Sequence, residues 1–464
     1  MKKDFLILVF LFFAVSSQGF QELNERKFLN FSDIHFDPYY DTTLVKELII
    51  ADYKEWENIF LKSDIKYFSR YGSDSNFPLL LSTLEEMKRV IPRPDFIIIT
   101  GDFLAHNFNE NYEEYSGSDN KDSLNYFIEK TMKFITRMLT KYFPVTTIFP
   151  SVGNDDSYCG NYMIEPNAPF LKMLSEIWEP LVNRNGLNES FRSTFSKGGY
   201  CILNFPEGEN YKMLILNTVF FSTNYKNLCG DTLQDPGAEE LRWLRETLKQ
   251  CKNSNQKVWL SYHIPTGIDI YGTIHGKGNC EEKIFTTWKK KYNEEFLKII
   301  NEYWMIINAG FAGHFHRDDF RIFYDEGIPI SYIHITPSIS PVYGNNPAYH
   351  IIQYNPANFE LQNYRTYFLK NLAGNDSAYW TSEYDFQKTY KQDFVSAASL
   401  STVSNLIFTD SSYRAEYINY YTAGDKITYE SDYSTWFYNW CGFGYLTKDD
   451  YVKCLCADSI RFKK

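Results

Sequence analysis

Five short apolar stretches of this chain each stop at a residue that can bind a metal ion. Lys27 to Ser32 leads to Asp33 and His35, and Phe96 to Ile99 leads to Asp102. Val145 to Val152 leads to Asn154, Lys257 to Tyr262 to His263, and Met305 to Ala312 to His314 and His316. Each stretch is rich in β-branched and aromatic residues and too short for a helix, so each reads as a buried strand. A carboxylate at the mouth of one such strand is, by itself, a solvated loop residue. Burying it is costly unless a cation meets it. Five strand ends of the same kind favour the cation.

The stretches between them carry apolar residues at spacings of three and four. Leu80, Leu84 and Met87 form one such face, Leu124 to Leu139 another, and Ala168 to Val182, Gly237 to Lys252 and Glu294 to Trp304 three more. Strands alternating with helices predict a layered α/β domain. Asn107 to Asp122 is polar and acidic and reads as a loop. Shorter strands are expected at Phe320–Tyr324, Ile330–Ile335 and Tyr349–Tyr354. Beyond about residue 370 the alternation stops, and Ala378 to Tyr421 reads as mostly helical.

Asp33 and His35, two apart on an extended strand end, share one face. Gly101, Gly153 and Gly313 stand just before candidate ligands, where the backbone must turn sharply or pack closely. The donors are imidazole and oxygen with no thiolate, a mix suited to zinc, manganese or iron rather than calcium. Seven side chains serve two metals if one carboxylate is shared. Two metals roughly 3.5–4 Å apart, with a hydroxide between them, form the clamp that hydrolyses phosphate esters.

The ordered set Asp-x-His, Gly-Asp, Gly-Asn, His, Gly-His-x-His resembles that of the calcineurin-like metallophosphoesterases, over about Phe28 to Gln353. The resemblance implies a four-layer α-β-β-α sandwich and two zinc ions, with manganese or iron as the lesser alternatives. It implies Asp33, His35, Asp102 and His316 on one metal, and Asp102, Asn154, His263 and His314 on the other, with Asp102 bridging. Ser32 to Tyr40, Arg70 to Ser75 and Gly101 to His106 are similar, more narrowly, to acid sphingomyelinase and its secreted sphingomyelinase-like relatives. So are Trp243-Leu244 and the cysteine-containing C-terminus. Acid sphingomyelinase carries an N-terminal saposin domain. Here the catalytic domain is expected to start close to residue 20, which implies the saposin-free branch.

Two positions depart from that family. Ser73 stands where relatives have a cysteine. Asp155, in Gly153-Asn154-Asp155-Asp156, stands where they read Gly-Asn-His-Asp or Gly-Asn-His-Glu. The missing histidine normally protonates the leaving oxygen. Asp155 acts as an acid only when protonated, and an unperturbed aspartate has a pKa of about 3.9. His106, four residues after Asp102, is the other candidate acid; a loop histidine is its bland alternative. His334 and His350 sit in strand-like runs and read as satisfied core residues, whereas His275 is a candidate to line the cleft.

Function is read first as an enzyme, with a binding protein of another class as the alternative. The first is a metal-dependent phosphoric diester hydrolase acting on a sphingomyelin-type phospholipid or on a nucleotide-type phosphodiester or phosphoanhydride. The other is a metal-bound, catalytically weak secreted binding protein that has lost its acid at Asp155. A formal charge of −11 argues against a partner of duplex nucleic acid. Lys2 and Lys3, the apolar run Phe5 to Val15 and small residues to Gly19 have the order of a signal peptide over residues 1–19; an N-terminal anchor is the alternative. The expected organisation is that peptide, a phosphoesterase domain over 20–370 and a helical, disulfide-stapled region over 371–464. The location is then extracellular or lysosomal, with at most peripheral membrane contact, and the oligomeric state is undetermined. Eight cysteines permit up to four disulfides in such a compartment, with Cys441, Cys454 and Cys456 stapling the C-terminus. Asn188 and Asn375 read as glycosylation acceptors in polar loops. Asn30 matches the same pattern inside a strand and does not.

Overall fold

The computed structural model describes residues 26–206, 208–227, 235–374, 378–424 and 435–458. The signal-peptide segment and Asn375 lie outside these residues. Fourteen strands occur among the described residues. They are β1 (Arg26–Phe31), β2 (Phe96–Ile99), β3 (Thr147–Pro150), β4 (Cys201–Phe205), β5 (Gly208–Ile215), β6 (Lys257–Ser261) and β7 (Ile268–Asp269). They continue with β8 (Phe285–Thr286), β9 (Ile307–Ala312), β10 (Asp319–Asp325), β11 (Ile328–Ile335), β12 (Ala348–Tyr354), β13 (Leu361–Lys370) and β14 (Tyr379–Asp385).

Two six-stranded sheets result, ordered β14-β13-β12-β1-β2-β3 and β10-β11-β9-β6-β5-β4; β7 and β8 form a separate two-stranded ladder. β1, β2 and β3 run parallel, as do β5, β6, β9 and β11. The buried central strands are β-branched because both faces are covered. Phe28 of β1 reaches across to Trp259 of β6 and Phe311 of β9, with ring centroids 5.3 and 5.7 Å apart. Phe96 meets Trp259 and Phe205 in the same layer. Much of the aromatic content therefore fills the space between the sheets, where large flat side chains span the gap of about 10 Å. Helices Phe77–Val90, Lys121–Tyr142 and Pro169–Val182 pack together over the first sheet. Helices Pro236–Asn253, Lys290–Tyr303 and Ala397–Thr409 cover the second. The architecture is the expected four-layer sandwich.

Three local expectations are corrected. Residues 108–116 are a helix, Phe108–Ser116, not a loop. Its acidic surface masks an inward face of Phe108, Tyr112 and Tyr115 that packs on Tyr39 and Phe127. The chain beyond residue 370 still contains a strand, since β14 pairs antiparallel with β13 and closes the edge of the first sheet. A division at residue 370 thus falls between two bonded strands; β14 is half-exposed and its alternation is correspondingly weak. The expected maximum of four disulfides is not reached, because Cys201 in β4 and Cys251 on Pro236–Asn253 are free, buried thiols. Cys280–Cys456 and Cys441–Cys454 are bonded, and Cys159 is disulfide-bonded as well.

Asn188 is corrected too. It is 5 % exposed, and its amide nitrogen donates to Val182 O and Asn204 O. That nitrogen is the atom glycosylation would modify, so the folded chain offers no acceptor there. Asn30 is fully buried, as its strand position implied.

Glu240, on helix Pro236–Asn253, is fully buried; one oxygen accepts from the Asn217 backbone N–H and the other has no partner. Burial drives its carboxyl well above the usual range, against the pull of that one hydrogen bond. The folded chain therefore keeps a proton that the unfolded chain loses above its ordinary pKa, and stability falls as pH rises through that window. Glu240→Gln is expected to raise the melting temperature by roughly 2 °C or more at about pH 7.5 and by less at about pH 5. Calorimetry of both proteins at the two pH values checks this; an equal gain at both would refute the buried proton.

Candidate metal centre

The strand ends of both sheets converge at one edge, the carboxyl ends of the parallel strands, where α/β folds place their ligands. Beyond β1 and β2 the backbones stay paired: Asp33 N–H donates to Gly101 O and His35 N–H to Asp102 O, each at 3.0 Å. That continued ladder sets Asp33, His35 and Asp102 side by side. Asn154 follows β3. His263 follows β6, and His314 and His316 follow β9, whose end is tied back by Gly313 N–H to His263 O at 2.9 Å.

The turn at this edge is tight. Asp33, His35, Asp102, His314 and His316 all hold φ between 40° and 73°. Left-handed backbone costs a side-chain-bearing residue about 1–2 kcal/mol, and Asp and His are among the types that tolerate it best. Strain gathered on ligand candidates is a mark of a functional site. Two glycines make the approach possible. A Cβ on Gly153 would lie 2.0 Å from Asp102 Oδ1, and one on Gly313 would lie 2.0 Å from Ser32 Oγ and 2.8 Å from Asp33 Oδ2.

All seven expected ligands are brought together. Donor atoms of Asp33, His35 and Asp102 lie within 4.8 Å of one another, and so do those of Asp102, His263 and His314. Asp102 is common to both groups. His316 Nε2 is 3.2 Å from His35 Nε2 and 3.3 Å from Asp33 Oδ1. Asn154 Oδ1 and Asp102 Oδ2 each stand 3.0 Å from His263 Nε2.

The fit to a cation follows from the protons. His263 Nδ1 donates to Thr100 O at 2.7 Å and His35 Nδ1 to Leu104 O at 2.9 Å. In the neutral tautomer each Nε2 is then a bare lone pair, facing carboxylate or amide oxygens that offer only lone pairs in return. Only positive charge relieves this. Burial, the largest influence, opposes charge on both rings, yet Asp102 together with Asp33 and the other neighbouring acids and hydrogen bonds outweighs it, raising His35 well above the usual range and His263 to about 9. His314 and His316, where burial dominates, are pushed down to about 3 and about 4. Burial would raise Asp33, but the charge and hydrogen bond of His316 hold it well below the ordinary carboxylate value. The cluster keeps its anions and two neutral imidazoles, and the protons held on His35 and His263 stand where a divalent cation would replace them.

His106 lies beside this group, its ring stacked on His35 at 4.1 Å. Asp74 accepts from both His106 N–H and His106 Nδ1, at 2.8 and 3.0 Å. That turns Nε2 toward Tyr343 Oη, at 3.1 Å, and Asp155 Oδ2, at 3.9 Å. Asp155 is buried, and desolvation together with the nearby Asp102 charge raises its carboxyl well above the usual range. Its Oδ2 also accepts from Asn154 Nδ2 at 2.9 Å, which aims the amide oxygen of Asn154 at His263. His334 and His350 are bonded to each other at 2.6 Å, with His350 on Asp318, deep in the core. His275 is exposed, caps onto Tyr271 O and lies outside the cleft.

The residues that sequence patterns missed are organisers. Asp156 accepts from four backbone N–H groups, those of Asp102, Phe103, Leu104 and Gly153, at 2.8–3.1 Å. It stitches the β2 turn to the β3 turn. Desolvation and the Asp102 charge still lift its carboxyl to about 6. Asp74 sits in a stretch recognisable from relatives, but nothing in its spacing pairs it with His106. Tyr162 and Tyr343 reach the cleft from loops and are indistinguishable in sequence from the other tyrosines. Beside His314 a cavity of about 240 Å³ opens, lined by Tyr162, Asn224, Asp269, Tyr271, Phe315 and Tyr343 among others.

Residues 26–318 match the profile of the calcineurin-like phosphoesterase family. The chain is similar to acid sphingomyelinase-like phosphodiesterase 3b of Homo sapiens, 27% identical over 97% of this chain and 94% of the relative. It is similar to sphingomyelinase phosphodiesterase C of Dictyostelium discoideum, 29% identical over 82% and 81%. A third relative is the cyclic GMP-AMP phosphodiesterase SMPDL3A of Homo sapiens, 25% identical over 92% and 90%.

Gly153→Ala tests the close approach. It is expected to lower bound divalent metal at least about ten-fold by elemental analysis, with the far-ultraviolet circular dichroism unchanged. Retention of the wild-type metal content would show that the gap at Gly153 does not shape the site.

Proposed function

The chain belongs to the calcineurin-like phosphoesterase family, and from that membership we propose that it is a phosphodiesterase working with two zinc ions. Asp33, His35, Asp102 and His316 hold one, and Asp102, Asn154, His263 and His314 the other. The observation that carries this is the set of imidazole Nε2 atoms aimed at buried carboxylates and an amide oxygen within 3.0–3.5 Å. Bound there, the zinc pair supplies Lewis acidity toward the phosphoryl oxygens and a water acidic enough to attack at moderate pH.

The remaining work falls to the chain's own groups. Hydrolysis adds water across one P–O bond, giving a phosphomonoester and an alcohol, and the departing oxygen needs a proton. His106 is placed to give it from Nε2, because Asp74 fixes the ring through Nδ1 and balances the imidazolium charge, as an aspartate does for a catalytic histidine. Asp155 takes the place of the family's histidine without its chemistry. It orients Asn154 and keeps its own proton close to His106 Nε2 rather than adding a second anion beside an anionic substrate. Tyr343 Oη holds the His106 ring toward the cleft until substrate enters.

The substrate is a phosphodiester with a headgroup-sized or nucleoside-sized substituent. The relatives' names, sphingomyelinase and cyclic GMP-AMP phosphodiesterase, span these two classes, and the cavity beside His314 has room for either substituent. We place the protein outside the cell or in the lysosomal lumen. Its disulfides suit an oxidising compartment, and among the described residues no helix is long and apolar enough to cross a membrane.

Turnover of a bis-aryl phosphate with zinc is expected from about pH 4 to 8, and Asp102→Ala should abolish it. His106→Ala should lower kcat by about 10²-fold or more; a loss of only a few-fold would remove His106 as the acid. If the wild type is inert and Asp155→His restores turnover, the protein is instead the metal-bound, catalytically weak binding protein. A panel of sphingomyelin and cyclic dinucleotides then separates the substrates.

A further inference from the structure

One wall of the cavity beside His314 is built from a piece of chain too small to hold itself. Ile268 to Trp288 contains the two-residue strands β7 and β8 and the six-residue helix Ile270–His275. A lone two-stranded ladder is marginal in water, and so is so short a helix. Yet Asp269, Ile270, Tyr271, Thr286 and Thr287 from this flap line the cavity opposite Tyr162 and His314.

The flap is backed by the C-terminal helices Trp436–Gly444 and Lys448–Asp458. Ile268, Ile270 and Ile284 on its inner side form an apolar cluster with Phe437, Cys441, Tyr451, Cys454 and Leu455. That cluster is separate from the main core around the metal centre. Gly442 lies against Ile270 so closely that a Cβ there would be 3.0 Å from Ile270 Cδ1. At the tip, Lys283 Nζ donates to Tyr438 Oη at 2.5 Å, and Cys280 is bonded to Cys456 across 176 residues of sequence. Cys441–Cys454 ties the two helices to each other. The flap's roots are fixed independently, by Thr287 N–H to Gly267 O and Trp288 Nε1 to Ile264 O.

We propose that this C-terminal disulfide module positions the cavity wall, and so sets the affinity for the organic substituent of the diester while leaving the chemistry at the metal centre untouched. The proposal rests on the phosphodiesterase function argued above. The physical reason for the division is that flap and metal centre belong to different apolar clusters, which loosen separately. Releasing the tip frees the wall that a bulky substituent leans on. A small diester that reaches only the metals does not feel it. A residue acting this way touches no reacting atom, so its signature is in KM and not in kcat.

The test uses the full-length, zinc-loaded protein with Cys280→Ser and Cys456→Ser together, and two diesters: methyl nitrophenyl phosphate and nitrophenyl thymidylate. KM for the thymidylate ester is expected to rise about five-fold or more, with kcat on both esters and KM for the methyl ester within about two-fold. Amide hydrogen exchange over residues 268–287 should accelerate while that of residues 313–317 stays constant. Gly442→Val keeps both disulfides and displaces Ile270, and should give the same KM-only pattern if the double variant does not fold. A parallel loss on both esters, or no change on either, overturns the proposal. If the wild type hydrolyses neither ester, the phosphodiesterase function fails. Exchange then decides the mechanical part by itself, and an unaltered flap overturns it.

Discussion

Where the two sheets meet, imidazole nitrogens face buried carboxylates at 3.0–3.5 Å, and only a proton or a metal cation is stable between them. That requirement organises the rest of the molecule. Asp102 and Asp33 are fully or almost fully buried, a placement water would normally forbid. The structure tolerates it because backbone and side chains are spent on the same few atoms. His263 and His35 each lose one nitrogen to a carbonyl so that the other is free, and Asp156 collects four N–H groups to lock the turns that carry Asp102 and Asn154. Five ligand candidates sit in left-handed backbone, a cost accepted because it aims all five at one point.

The sandwich supplies the rigidity this needs. Strand ends are stiff places from which to present a side chain, and β1, β2, β6 and β9 have a bonded neighbour on both flanks while β3 has one. Two sheets facing each other contribute three strand ends and two strand ends to a single edge, and the aromatic layer of Phe28, Phe96, Trp259 and Phe311 fixes their separation. Substrate selection is built from softer material. Apart from His314 and its neighbours, the walls of the adjoining cavity come from loops and a short flap, and neither the flap nor the C-terminal helices that back it hold a candidate ligand. Chemistry and selectivity are thus carried by parts of different stiffness, and the wall can change without disturbing the metal site.

Asp155 shows how a departure from a family pattern resolves in three dimensions. In sequence it is a lost acid. In the fold it orients Asn154 and retains a proton next to His106, whose ring is already held by Asp74.

The strands β1, β2, β3, β6 and β9 were legible because apolar β-branched runs have no alternative use, and the seven ligand candidates because each directly ends such a run. The helices were legible where one face is purely apolar. Phe108–Ser116 and β14 were not, since their inward residues are diluted by a polar or half-exposed face. Asn188 read as a surface acceptor until its amide was found bonded to Val182 and Asn204. By itself the sequence determined the layered α/β fold, the donor set and the kind of metal it suits, all of which depend on local pattern and side-chain chemistry. Only the tertiary structure decided which groups sit beside the metals: Asp74 is 32 residues from His106, Tyr343 is 237 residues from it, and the flap is bonded to a helix 176 residues away. Such pairings leave no spacing in the chain, because they are made by packing between segments far apart in sequence.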